Sequence, residues 1–410
     1  MRWSGFSHNL IALPSPPPPP PPHTHMMKYT TYILTLGVLI SCAALQAETL
    51  QAEAPLPIWA AKNLDGQPVR IAVPAPKDLR FAHLSWNKVQ RTPKGTVILA
   101  YTAGTFHGND GGGSPAVSRS TDGGRTFSEP QIIREFGPGR DYTQSGNLAL
   151  GIDENGNLVL LAMAFTADTT SHIFGWRSED DGVTWKPVDT SALGPNKTGS
   201  VFGDIVSVEG QGLMVLGHYR QGSKPYNRGI WLSTSQDQGR TWSPARRISD
   251  VHAAEPVLVQ TTSGRLLGFF RSRGDKTLGG RQYVGVSDDQ GATWKTELSV
   301  LDSEDNTRSR LAAPFAVENP NNKGEILVLT TERGKVGETR GRIWLWRGDA
   351  QKLDWKRERV LLEFPHIRGD ANDDFGYPWL LHLEGNRWLM YYYHGQKKGA
   401  NPLWVTEVKL

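Results

Sequence analysis

The chain has 410 residues, long enough to bury a sizeable core, and its 44 glycines and 14 tryptophans without clustered helix formers point to many short strands joined by tight turns. A formal net charge of only +4, with no Lys/Arg run, excludes a nucleic-acid-binding surface of the usual basic kind. The single cysteine, Cys42, excludes an internal disulfide, and no metal-ligand spacing or nucleotide-binding loop occurs, so neither metal nor cofactor is expected.

The N-terminus is foreign to a folded domain. An unbroken proline run, Pro16 to Pro22, cannot pack into a core. Met26 and Met27 follow, then Lys28 and an apolar stretch from Tyr32 to Ile40, too short to span a bilayer and typical of a secretory signal. Translation is expected to start at Met26 or Met27. Two processing sites compete: cleavage after Ala47, or lipidation of Cys42 in the lipobox-like Leu39-Ile40-Ser41-Cys42. The expected division is 1–47 as extension plus signal, 48–79 as an N-terminal segment with a closing strand, and 80–410 as the folded domain. The protein is expected to be exported, periplasmic or extracellular, monomeric, and at the membrane only if lipidated.

Two repeats run through the rest. Ser-x-Asp-x-Gly-x-Thr-(Trp/Phe) begins at Ser120, Ser178, Ser235 and Ser287, at spacings of 58, 57 and 52 residues, with a decayed copy from Asp349 to Trp355. Glycine turns between apolar β-runs recur at Gly95, Gly156, Gly212, Gly264, Gly324 and Gly385, at spacings of 61, 56, 52, 60 and 61. Each repeat therefore reads as strand, glycine turn, strand, loop, strand, Asp-box turn, strand. Radial repetition of such units predicts an all-β fold, a six-bladed β-propeller of four-stranded antiparallel blades. The last repeat lacks an Asp-box, so a strand near Ile71-Ala72-Val73 is expected to complete its blade. The Asp-box acids read as turn-forming: their side chains satisfy backbone groups where glycine supplies positive φ.

Strand direction alternates along a blade, which places the glycine and Asp-box turns on one face. The opposite face gathers the starts of the first strands, near Trp86, Asn147, Asp204, Glu255, Phe315 and Tyr377. It also gathers the loops after the second strands, with His107, Asn109 and Asp110 in one repeat and Arg271 and Arg273 in another, and the third-strand starts Arg340 and Arg342. Glu255 and Tyr377 lie at corresponding depth. A carboxylate beside a phenol, whose ordinary pKa is about 10, can take its proton and make it a nucleophile. Asp110 is placed to protonate a leaving oxygen, and clustered arginines suit a substrate carboxylate because each guanidinium holds two oxygens. Together these groups describe cleavage of an acidic sugar. His107, Arg271, Arg340 and Arg342 are the expected substrate-binding residues, and an acidic glycan is the expected partner.

Over residues 80–410 the chain resembles the bacterial exo-sialidase (neuraminidase) superfamily of Asp-box propellers. Glu255-Pro256 through Gly264 to Arg271 resembles the segment carrying that family's catalytic Glu and second arginine. Gly376-Tyr377-Pro378 resembles the segment with its nucleophilic Tyr. The resemblance implies that Arg342, or else Arg340, is the third arginine and that Asp110 is the acid/base. The chain departs from the family before the first blade: the Arg-Ile-Pro motif is absent, Ala82-His83-Leu84-Ser85-Trp86 stands there, and Arg80 or Arg220 would have to supply the missing charge. Two other readings stay open. One is a lyase on uronate-containing glycans, with Arg271 neutralising the carboxylate and His83, His107 or Tyr377 moving protons. The other is a glycan-binding propeller without catalysis.

Overall fold

The computed structural model describes residues 62–107, 112–166, 171–273, 281–301, 311–334, 340–369 and 372–410. Asp110, Asn109, Ala47 and Cys42, and with them the expectations placed on the N-terminal segment up to residue 61, lie outside the described residues. Among the described residues no helix is long and apolar enough to cross a membrane.

The fold is all-β, with one short 3-10 turn at Ser191–Leu193 among the described residues. Four sheets of four strands form propeller-like blades. His83–Arg91 leads the first, followed by Val97–Gly104, Ser114–Ser120 and Gln131–Ile132. Ala253–Gln260 leads the second, Phe315–Glu318 the third and Asp373–Glu384 the fourth. A nine-stranded sheet contains two further runs in the same up-and-down order, led by Gln144–Ile152 and Gly203–Val208, which pair parallel to each other (Gly203 opposite Ala149). Each leading strand packs against the leading strand of the next run, and Asp373–Glu384 returns to pack against His83–Arg91. The chain's last strand, Leu403–Lys409, takes Val69–Val73 as its outer neighbour, antiparallel with Val69 opposite Thr406.

The Asp-boxes act as turn staples. At the first, the Ser120 hydroxyl donates to Asp122 (2.7 Å) and accepts from the Gly124 amide (2.8 Å), while the Thr126 amide and hydroxyl donate to the same carboxylate. The boxes at Ser178, Ser235 and Ser287 repeat these bonds. Gly124 is at φ +86°, and a Cβ there would collide with the Tyr391 hydroxyl of the neighbouring sheet. Glycine is required for the turn and for the close approach of the two sheets.

The feature that builds the site is a bulge near the start of the leading strands. Pairing skips between Ser85 and Lys88, Ser145 and Leu148, Ala254 and Val257, and Gly376 and Trp379. In three of these bulges a non-glycine residue takes a left-handed backbone: Trp86 at φ 57°, Glu255 at 51° and Tyr377 at 56°. Such conformations cost on the order of 1–3 kcal/mol each and persist where the surroundings enforce them. A bulge re-aims a side chain, and these three all line one pocket.

Candidate active site

The pocket has a volume of about 240 Å³ and is bounded by Trp86, His107, Glu255 and Tyr377 with five arginines, Arg220, Arg271, Arg273, Arg333 and Arg368. Among its described lining residues Glu255 is the one carboxylate. Tyr377 Oη donates to Glu255 Oε1 at 2.8 Å, and Arg271 donates to Glu255 Oε2 at 2.7 Å. The same Arg271 nitrogen lies 3.5 Å from Tyr377 Oη, closing a triangle across two sheets. Both Tyr377 and Glu255 are buried, 2% and 8% exposed.

Burial alone would raise the Glu255 carboxyl. The Arg271 charge and hydrogen bond, helped by the Tyr377 hydroxyl and Arg333, outweigh it and hold the group well below the ordinary range. Burial and then the Glu255 charge push the Tyr377 phenol up to about 12 against the opposing pull of Arg271 and Arg333. In the resting site the proton therefore stays on the phenol.

Arg333 is 6% exposed and has no carboxylate partner among the described residues. One of its terminal nitrogens donates to Tyr393 Oη at 3.2 Å, its guanidinium lies 5.4 Å from the Tyr377 ring centre, and its Nε is buried without a hydrogen-bond partner. Burial and the neighbouring Arg368 both push it toward losing its proton. An unmatched buried cation beside the Tyr377–Glu255 pair favours a bound anion.

Arg340 and Arg342 do not line this pocket. Arg340 is exposed and ion-paired with Glu363 (2.9 Å), and Arg342 lies between Glu363 (3.4 Å) and Glu332 (3.6 Å). Arg342 sits on the third strand of its sheet, Gly341–Asp349, opposite Glu332 in register, and Arg340 just precedes that strand, one strand too far from the axis. Arg333, just past the end of the second strand Glu325–Glu332, takes the place expected of them. Arg80 is also outside, paired with Asp78 and Glu135 on the surface, whereas Arg220 lines the pocket with its guanidinium 4.4 Å over the Phe165 ring.

His107 does line the pocket, its ring tilted at 45° against Trp86 with the centres 4.7 Å apart. Its Nδ1 is 2.8 Å from Asp374 Oδ2, close but poorly aligned for a hydrogen bond, and His83 Nε2 approaches the same oxygen at 3.3 Å. Arg368 Nε donates to the other oxygen at 2.6 Å. Burial pushes His107 down to about 4, more than Asp374 pulls it up. The donor atoms of His83, His107 and Asp374 lie within 4.8 Å of one another, a spacing that would admit a metal ion. The carboxylate's other oxygen is already taken by a guanidinium, and Arg333 adds to the positive field on His107, so the set fits an ion-pair cluster better than a divalent cation.

Beneath the pocket Lys88 is fully buried between the Phe202 and Trp379 rings, 3.9 and 4.0 Å from their centres, and donates to the carbonyls of Trp86 and Asn87. Burial brings its ammonium down to about 7. Lys88 thus ties down the backbone of the Trp86 bulge.

The sequence profile of the BNR repeat-like domain matches residues 132–390. The chain belongs to the BNR repeat-like domain family. No curated protein sequence matches it. Among solved structures, the Hadza microbial sialidase Hz136 is similar at a TM-score of 0.63 and 20% identity, over 84% of this chain and 68% of that one. The K499G mutant of NanB sialidase from Streptococcus pneumoniae is similar at 0.61 and 12%, over 84% and 71%. The α-L-arabinanase of Penicillium chrysogenum is similar at 0.54 and 15%, over 83% and 97%. At these identities the likeness establishes the fold, that of the sialidase-like propellers.

Proposed function

We propose that this protein is a retaining glycosidase that removes a terminal acidic sugar, sialic acid or a relative, from glycans. The observation that carries the reading is the buried Tyr377–Glu255–Arg271 triangle facing the unmatched Arg333. The substrate carboxylate binds between Arg271 and Arg333. In doing so it competes with Glu255 for Arg271, so Glu255 loses its strongest stabilising charge and becomes a better base. The Tyr377 proton passes to Glu255 Oε1 as the phenolate oxygen bonds to the anomeric carbon. The bond to the aglycone oxygen breaks, and that oxygen takes a proton from Asp110, in the loop after His107. Water then attacks the glycosyl-tyrosine, giving its proton to Asp110 while Tyr377 recovers its own from Glu255. Positive charge developing on the sugar favours the ionised phenol at that moment.

The same reading counts six blades, because six leading strands abut in turn and Val69–Val73 completes the last sheet. It takes the protein to be exported, where such glycans are met. A lyase on uronate-containing glycans is the second reading, favoured by His107 beside Asp374 and by Trp86 standing where an arginine was expected. Tyr377→Phe should lower turnover of a fluorogenic sialoside by at least about 10³-fold. Full retained activity sinks the glycosidase assignment, and an unsaturated, ultraviolet-absorbing product from a uronate polymer would establish the lyase.

A further inference from the structure

The pocket at Tyr377 adjoins a much larger cavity of about 1170 Å³. The two share Gln144, Phe165, His218, Arg220 and Arg273. Sites that hold drug-sized ligands occupy about 300–1,000 Å³. The inner pocket falls below that range and suits one sugar ring, and the adjoining cavity exceeds it, so the ligand extends beyond the unit that is cleaved.

The adjoining cavity has one sign of charge. Arg220, Arg228, Arg273 and His252 line it, with no carboxylate among the described lining residues. Among the described residues none of the three arginines has a carboxylate partner: the side chain of Arg220 has the Met163 sulfur at 3.8 Å and the Phe165 ring as its neighbours. Burial, and after it repulsion from Arg273, brings Arg220 down to about 10. Glu255, the carboxylate of the inner pocket, is committed to Arg271. At the junction Gln144 lines both cavities and offers a side-chain amide that can pair with a sugar hydroxyl. Tyr219 lines the cavity and is packed edge to face by Tyr226 at 5.3 Å.

We propose that the unit next to the cleaved sugar is itself anionic, so that the substrate is a polyanionic oligosaccharide carrying carboxylate or sulfate groups along its length. This rests on the reading of the inner pocket as the place of cleavage; the binding it requires is measurable without turnover. Calorimetric titration of the full chain with three tetrasaccharides tests it: galacturonic acid (carboxylate only), sulfated galactose (sulfate only) and neutral maltotetraose. At least one anionic probe should bind at least about tenfold more tightly than the neutral one, and weaken steeply with added salt. Which anion binds identifies the charged group. Arg228→Gln combined with His252→Gln should reduce that affinity severalfold. Equal binding of all three probes, binding of neither anion, or an unchanged double variant overturns the proposal. Hydrolysis retained in Tyr377→Phe would instead overturn the assignment of the inner pocket and leave the calorimetric result standing.

Discussion

Replacing Arg333 by methionine should make the ligand-free protein more stable while disabling it. Arg333 is 6% exposed, its Nε is unsatisfied, and like-charged Arg368 and Arg271 act on it. A buried polar group left without partners costs about 1–3 kcal/mol, and a charged one sits at the upper end, so removing it should return about 3 kcal/mol. Against this stand the hydrogen bond to Tyr393 and the contact with the Tyr377 ring, about 1 kcal/mol each. The net gain is about 1 kcal/mol, which for a domain of this size raises the melting temperature by about 2 °C. The same substitution removes half of the proposed carboxylate clamp. Loss of one partner of a desolvated charge pair is worth about 2–5 kcal/mol, so kcat/KM on an acidic glycoside should fall by at least about 30-fold. Thermal melts without ligand, set beside initial rates, test both halves. A variant that melts several degrees below wild type, or one with unchanged kcat/KM, would refute the view that Arg333 is held in reserve for a substrate anion.

Glu255→Gln should act in the opposite sense, costing about 3 kcal/mol in denaturant titration because the half-buried Arg271 is left without its carboxylate. It should also bring the Tyr377 phenol, raised to about 12, down toward its ordinary value, readable by ultraviolet titration, because the Glu255 charge helps to raise it. Burial holds His107 at about 4 and His218 at about 3 in the folded chain. The unfolded chain therefore takes up these protons first as pH falls below about 6.5, and stability should drop from there to about 4 by up to about 1.4 kcal/mol per pH unit for each histidine. His218→Asn should flatten that slope in melts recorded across the range. Deleting residues 62–75 removes Val69, Ala72 and Val73 from the core and bares the edge of Leu403–Lys409. It should cost about 5 kcal/mol and promote association; an unchanged melt and a monomeric elution profile would show the strand to be dispensable.

The repeat spacing made the sheets and the face of the site legible, because Asp-box and glycine turns are local chemistry repeated at near-constant intervals. Glu255 and Tyr377 followed from their similar offsets to a hairpin glycine, nine and eight residues, and the structure brings them within 2.8 Å. The arginines were harder. Arg220, Arg271, Arg273 and Arg333 all stand seven to nine residues after Gly212, Gly264 or Gly324, at the ends of second strands. That regularity was available, but Arg340 and Arg342 follow soon after in the same repeat, and only the pairing register shows that they fall one strand farther out. Asp374 and Arg368 carry no periodic signal, since their place depends on how the stretch leading into the last blade meets His83 and His107 from the first.

The antiparallel pairing of Val69–Val73 with Leu403–Lys409 also sets a clock on folding. The first strand among the described residues has no strand partner until nearly the last residues of the chain exist. At about 5–20 residues per second the wait is roughly 15–70 s. Throughout that interval the nascent chain carries two unpaired strand edges, one at each end of an open arc. A chain stopped before Leu403 would keep Tyr377, Glu255 and every arginine that lines the pocket, and still lack the strand that pairs with Val69–Val73.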